Sequence, residues 1–477
     1  MKRILSALLT IPVLFLCPAM QAGASYTGYI YDKNNTAVPS PDIFSPEAVL
    51  TGEDLGIGAF SDPKDIFTDD KNNVFVVDTG NNRLVMLDEN LTLVRVYESF
   101  THDGQTLAIN KPEGVFADAS GILYIADTAN ARVLVCQRDG TVSFVIEAPK
   151  SELLGSDFTF IPLKVAVDSS GAIFVLSKGV FQGMMAFDST GGFIGFFGGN
   201  KVQMTIQMAV ARMWRRFLTD EQIAATQRYV PNEYSNIYMD GGDFIFACDK
   251  SASQQVKQLN SLGVNILPEA QFGDYGYEIQ QNNVITSVIA DVNADKNGFI
   301  SCLDMTRGKV FRYDRECNLL GVFGSLGGQA GTFKRPVSIE SLGNRILVLD
   351  GEKNSVTVFK QTEYGALIDR AVLLYNDGKY EESLEPWTEI IKRNCNFELA
   401  YNGMGKAYGK LGEYKTAMKY FRLAGNNAEY SKAFSEYRNH FIRRYFGCLI
   451  AGISAVVLAC FLTVRSVRKK RKRGGLI

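Results

Sequence analysis

Hydrophobic and polar positions alternate in short runs from residue 63 onward, and the runs come in fours. Ile66 and Phe67 close a first run before Asp69. The polar turn 71–73 follows, then Val74, Phe75, Val76 and Val77, a third run at 84–87 and a fourth at 93–97. Apolar runs of this length, bounded by Asn, Asp and Gly, read as strands and turns. About fifty residues on, the unit returns from Pro112, with Phe116, Asp118, a turn at Ser120 and Gly121, then Tyr124, Ile125 and Ala126. Four short strands repeating at about fifty residues predict the blades of a propeller. Further units begin at Pro162, near Tyr234, at Val288 and at Pro336; the fourth is degenerate and the sixth lacks a final strand. The orphan run 48–51, ahead of the first unit, is expected to supply it and so remove an open sheet edge. The expected fold class is mainly β, with six blades over residues 25–361.

The period changes twice. Between blades three and four, Ile206, Val210, Met213 and Phe217 follow helical spacing, and Thr219 with Gln222 forms a capping box. A helical insert at about 202–228 is expected, on the propeller face that carries the turns 78–83 and 127–132. After residue 361 the helical period persists. Ala371, Gly378, Tyr380, Ser383 and Trp387 are matched thirty-four residues later by Gly405, Gly412, Tyr414, Ala417 and Phe421. This spacing predicts paired helices over 362–444, closed by a capping helix at 430–445. Residues 445–464 carry no charge and, at about 1.5 Å per residue, can cross a hydrocarbon core of about 30 Å. A run of basic residues, 465–473, follows at once.

Charge then sets limits on function. The net charge is −1, from 50 Lys and Arg against 51 Asp and Glu. Basic residues concentrate at the two ends, so the body between them is acidic, which argues against a nucleic-acid partner. Residues 1–24 read as a secretory leader, with Lys2 and Arg3 before an apolar core and Ala22, Gly23 and Ala24 as the cleavage site. An exported body and a cytoplasmic basic tail, 465–477, agree with the positive-inside rule. The expected location is the cell membrane, crossed once. Of eight cysteines, Cys136, Cys248, Cys302, Cys317 and Cys395 lie outside the leader and the apolar run, with no disulfide or metal spacing. They are expected to be free and mostly within strands.

The first two blades share a further set: Asp78, Thr79, Asn81 and Arg83 return as Asp127, Thr128, Asn130 and Arg132. Together with the leading proline and the turns, this set resembles the NHL-repeat β-propellers. The helical stretch, about 364–431, resembles tetratricopeptide repeats. The combination is similar to bacterial single-pass membrane proteins, and the resemblance implies work beside membrane transport machinery. Because the set recurs, each blade needs it, and Asp78, Asn81, Arg83, Asp127, Asn130 and Arg132 read as turn and ion-pair residues rather than catalytic ones. No catalytic residue, metal or cofactor is expected. The amidating lyases that resemble NHL proteins hold zinc with histidines, and only His102 and His440 exist here. Calcium-dependent lactonases on six blades need only Glu, Asn and Asp near the axis, so a surface-tethered lactonase-like or glycan-processing enzyme is the alternative. The run 291–298 resembles part of a calcium loop. Lys296 stands where such a loop needs glycine and Cys302 where it needs glutamate, and the run reads as a turn.

The expectation is therefore a membrane-anchored extracellular binding scaffold. Arg212, Trp214 and Arg215 of the insert, and Tyr275 and Tyr277 between Asp274 and Glu278, are the candidate contacts to a glycan or protein. The helical pairs offer a second surface for a membrane protein such as a transporter component. Gly447, Ala451, Ala455 and Ala459 place small residues in a row that lets membrane helices associate.

Overall fold

A computed structural model describes residues 26–155, 158–200, 232–249, 254–276, 278–280 and 283–473. The leader, the insert and Tyr277 lie outside the described residues. Six innermost strands form a ring: Asp65–Thr68, Gly114–Ala117, Pro162–Val167, Tyr234–Met239, Ile289–Ala294 and Pro336–Leu342. Each contacts the next in order, and the last meets the first. Antiparallel strands build outward from each, giving the six-bladed propeller. Second strands such as Val74–Asp78 and Leu123–Asp127 are buried at every position, because neighbouring blades cover both faces. Their sequences accordingly read as unbroken apolar runs.

Closure follows the expected route. The strand Phe44–Thr51 pairs antiparallel with Ser355–Gln361 and becomes the fourth strand of blade six. Two blades depart from four strands. Blade five has six, because the hairpin Tyr29–Tyr31 and Ala37–Pro39 adds to its outer edge beside Leu319–Phe323. Blade four has three among the described residues, ending at Val256–Leu259. Beyond it, the Asn265 carboxamide oxygen accepts from the N–H groups of Gln258 and Leu267, and Pro268 then offers no donor. A fourth strand stops there after a single bridge, Leu259 to Asn265.

The C-terminal part is helical: α1 Glu363–Asn376, α2 Tyr380–Arg393, α3 Glu398–Lys410, α4 Tyr414–Leu423 and α5 Asn427–Arg473. Thr362 caps α1 by accepting from Gly365 N at 3.1 Å, while its hydroxyl donates to Asp42 O at 2.6 Å. Successive helices pack in pairs. A Cβ added at Gly403 would stand 2.5 Å from the Trp387 ring, and one at Gly405 2.6 Å from Phe421. Only glycine lets these aromatic wedges seat.

The helices are fused to the propeller rather than hung from it. Phe299, Phe323, Phe333 and Phe359 of blades five and six share one core with Tyr364, Ile368, Trp387 and Ile390. Lys406 on α3 donates to Glu316 at 2.8 Å, and Lys33 N at the hairpin tip reaches Glu398 at 3.4 Å. Helix α3 thus contacts both blade five and the hairpin added to it. Helix α5 packs on α4 through Ala433. From Phe434 onward its large apolar side chains are exposed, and it is long and apolar enough to cross a membrane once.

All described cysteines are free. Cys136, Cys248 and Cys302 lie in strands and are buried, whereas Cys317 sits in a turn and Cys395 is exposed after α2.

Candidate functional site

The strand registers align one position in every blade. Asp65 faces Val77, Gly114 faces Ala126, Lys164 faces Leu176, Asn236 faces Cys248, Asp291 faces Leu303 and Ser338 faces Leu349. The partner in each case directly precedes the last residue of the second strand. In blades three to six the register slips by one residue just before this position, a bulge that re-aims the next side chain. Two residues further along stand Phe67, Phe116, Ala166, Tyr238, Asn293 and Glu340. The signature at the second-strand ends recurs, but this axial set does not. Asp stands at the aligned position in blades one and five, and the other blades differ there, so the set as a whole occurs once per molecule.

At the axis lies a cavity of about 20 Å³, lined by Asp65, Lys164, Asn236, Tyr238, Asp291 and Glu340 among others. That volume holds about one water. Lys164 is ion-paired with Asp65, whose other oxygen accepts from Val115 N at 3.0 Å. The Ser338 hydroxyl lies 2.7 Å from Asp291 Oδ2 and 3.1 Å from Asp65 Oδ1. Asp291 also accepts from Ile339 N and Val292 N, each at 2.8 Å. Asn293 donates to Glu340 Oε2 at 2.8 Å. Burial pushes the Asp291 carboxyl up to about 6, with the Lys164 ammonium and the Ser338 hydroxyl pulling against it and Asp65 adding to it. Burial, then Asp291 and Asp65, push Glu340 well above the usual carboxylate range. Among the described residues no group of three or more His, Cys, Asp or Glu is arranged to hold a metal ion. The cation present at this axis is the chain's own ammonium.

The residues read from the sequence lie elsewhere. Asp78 Oδ2 accepts from Arg83 Nε at 2.7 Å and from Asn81 Nδ2 at 2.9 Å, and its Oδ1 accepts from Ser61 N at 2.7 Å. Asp127 repeats this with Arg132, Asn130 and Asn110 N. Thr79 and Thr128 reach across to the carbonyls of Pro112 and Pro162, each at 2.7 Å, tying each blade to the next. These side chains join the turn to its own blade and to the following one. Blade five differs, because Lys309 bonds Asp274 at 3.0 Å while Asp304 accepts from Thr306 and Arg307 N–H.

Tyr275 is 41 % exposed and meets Tyr31 edge-on at 4.7 Å. Beside it, Asp274 takes the hydroxyls of Tyr29 and Tyr31 and the cations of Arg307 and Lys309. Burial raises the Asp274 carboxyl, but the two tyrosines and Lys309 outweigh it and hold the carboxyl below its ordinary value. Arg212, Trp214, Arg215 and Tyr277 lie outside the described residues.

Asp65, Lys164, Asn236, Asp291, Ser338 and Glu340 escape a motif reading because only the two aspartates match between blades and their flanking residues differ. One signal was present. Polar residues two apart, such as Asp291 and Asn293, interrupt first strands that are otherwise apolar. The run 291–298 is in fact strand to Ala294 and turn only from Asp295, which places Asp291 and Asn293 in the strand with Asp291 lining the axial cavity.

No protein-family model matches the chain, and no curated protein matches it in sequence. Among solved structures it is similar to virginiamycin B lyase from Staphylococcus aureus, at 12 % identity and TM-score 0.40 over 67 % of this chain and all of that one. It is also similar to a gluconolactonase from Xanthomonas campestris, at 9 % identity and TM-score 0.36, over 61 % of this chain and 83 % of that one. The extracellular domain of a one-component system from B. thetaiotaomicron matches at 13 % identity and TM-score 0.34, over 62 % of this chain and 32 % of that one. The six blades themselves rest on the strand pairing.

Proposed function

We propose that this chain is a membrane-tethered binding scaffold: an NHL-type propeller carried on tetratricopeptide-type helices and one membrane span, with the body exported and the basic tail cytoplasmic. The observation that carries this reading is the axis. A propeller enzyme works on a substrate at the mouth of its axis, and here the axial groups are bonded mainly to one another around space for one water. Recognition is then left to surfaces, where loops on a rigid scaffold supply it. The exposed edge of Tyr275 beside Tyr31 suits stacking on a sugar or a protein side chain, and the insert residues Arg212, Trp214 and Arg215 supply further contacts. The outer faces of the helical pairs, and the row Gly447, Ala451, Ala455 and Ala459, serve a neighbouring membrane protein of the transporter class.

The test is purification of the full chain from membranes after cross-linking, in wild type and in a Tyr275→Ala, Arg212→Glu, Arg215→Glu variant. Wild type is expected to bring down a defined glycan or integral protein that the variant loses at unchanged melting temperature. Hydrolysis of lactones or glycans by the purified chain, abolished by Asp291→Asn, would replace this reading with an enzymatic one.

A further inference from the structure

The Ser338 hydroxyl has one proton and two carboxylate neighbours. It already accepts from Ile66 N at 3.3 Å, which leaves one lone pair and one hydrogen for Asp65 at 3.1 Å and Asp291 at 2.7 Å. If both carboxylates were ionised, one oxygen anion would face a hydroxyl lone pair inside a buried axis. A proton on one carboxyl resolves this, because that carboxyl donates to Ser338 and Ser338 donates to the other. Asp65 is the ionised member, since the Lys164 ammonium sits on it. The order is then Asp291 carboxyl to Ser338 hydroxyl to Asp65 carboxylate to Lys164 ammonium.

This chain joins blades five, six, one and three. It crosses the junction between blades six and one, at the inner strand of the blade whose outer edge the N-terminal strand completes. We propose that the propeller axis is a proton-binding site, in which one proton held by Asp291 bridges through Ser338 to Asp65 and locks the seam of the ring.

The charged and titratable groups around Asp291 come from every blade packed on it: Asp65 on blade one, Lys164 on blade three, Cys248 on blade four, Cys302 on its own blade and Glu340 on blade six. Burial holds both thiols neutral, since it raises each well above its ordinary value. Glu340, itself raised by burial and by both aspartates, is an acid, and any negative charge it carries favours the proton on Asp291 rather than expelling it. Lys164 is the one cation in the set, and Asp65 engages it. The sign of the linkage follows. A carboxyl raised from 3.8 to about 6 in the folded state stabilises fully below the lower value. That contribution is lost as pH rises through the higher one.

The experiment uses the full chain in detergent. Relative to Asp291→Asn, the folding equilibrium of wild type is expected to fall about a hundredfold between pH 4 and pH 7. In a Glu340→Gln background, which removes the neighbouring acid, infrared difference spectra should show a protonated-carboxyl band at pH 5. The band should bleach by pH 8 and be missing once Asp291 is also changed. Should Asp291→Asn fail to fold, Lys164→Met keeps Asp291 and is expected to move the bleaching midpoint upward by at least tenfold in proton affinity. A Glu340→Gln protein with no such band, a midpoint indifferent to Lys164, or a stability difference that does not vary with pH would each overturn the proposal.

Discussion

Arg312 joins the propeller to the helices, and its removal should part them. It lies on the third strand of blade five, 5 % exposed as a side chain, with Nη2 2.9 Å from Asp295 Oδ2 and 2.8 Å from Asp369 Oδ2 on α1. Its guanidinium also lies over the rings of Phe299 and Phe44, at 4.7 and 5.3 Å. Burial already raises the Asp369 carboxyl, and Arg312 is the largest influence holding it down. Arg312→Leu leaves two mostly buried carboxylates without their cation. Breaking a buried pair from one side costs about 3–5 kcal/mol, and lost ring contacts add about 1 kcal/mol. Arg312→Lys keeps the charge but is shorter and loses the planar guanidinium that lies over Phe299 and Phe44, so about half the cost should remain. Hydrogen exchange on Glu363–Asn376 is the direct assay, since a loss of about 3 kcal/mol raises local opening about a hundredfold. Adding Asp369→Leu to Arg312→Leu should recover at least about 1 kcal/mol, because the pair is coupled. Unchanged α1 protection in Arg312→Leu, or strict additivity in the double variant, would refute the reasoning.

Three other outcomes follow from the same geometry. Removing residues 26–51 strips blade six of its fourth strand and blade five of its hairpin, so the chain should aggregate on extraction; a monodisperse, cooperatively melting product would count against closure by Phe44–Thr51. Gly405→Val drives a side chain into the Phe421 ring and should cost about 1–3 kcal/mol, read as a lower melting temperature, whereas Gly412→Asn, at a φ of +82° in an open turn, should be nearly neutral. Arg83→Met leaves the fully buried Asp78 carboxylate without its ion pair and should cost about 3–5 kcal/mol by denaturant titration, while partner capture by the surviving folded fraction stays intact.

Local rules made much of this chain legible from its residues alone. The fours of apolar runs, the repeat near fifty residues, the missing last strand and the spare early one together implied a six-bladed ring closed from its N-terminus. Each of those features is a short-range pattern, and strand pairing within a blade joins neighbours in sequence. The helical repeat was readable for the same reason, since small residues and aromatic wedges recur at fixed spacing. Tertiary structure alone decided the rest. Nothing near Tyr29 or Tyr31 announces that their hairpin adds to blade five, because the partner strand lies almost three hundred residues away. Nothing near Asp369 marks it as a partner of Arg312, so the fusion of helices to propeller was invisible. The axial set is the clearest instance. Asp65, Lys164, Asp291 and Ser338 stand in four separate units and repeat no motif, and only closing the ring brings them within hydrogen-bonding distance in a space from which water is nearly excluded.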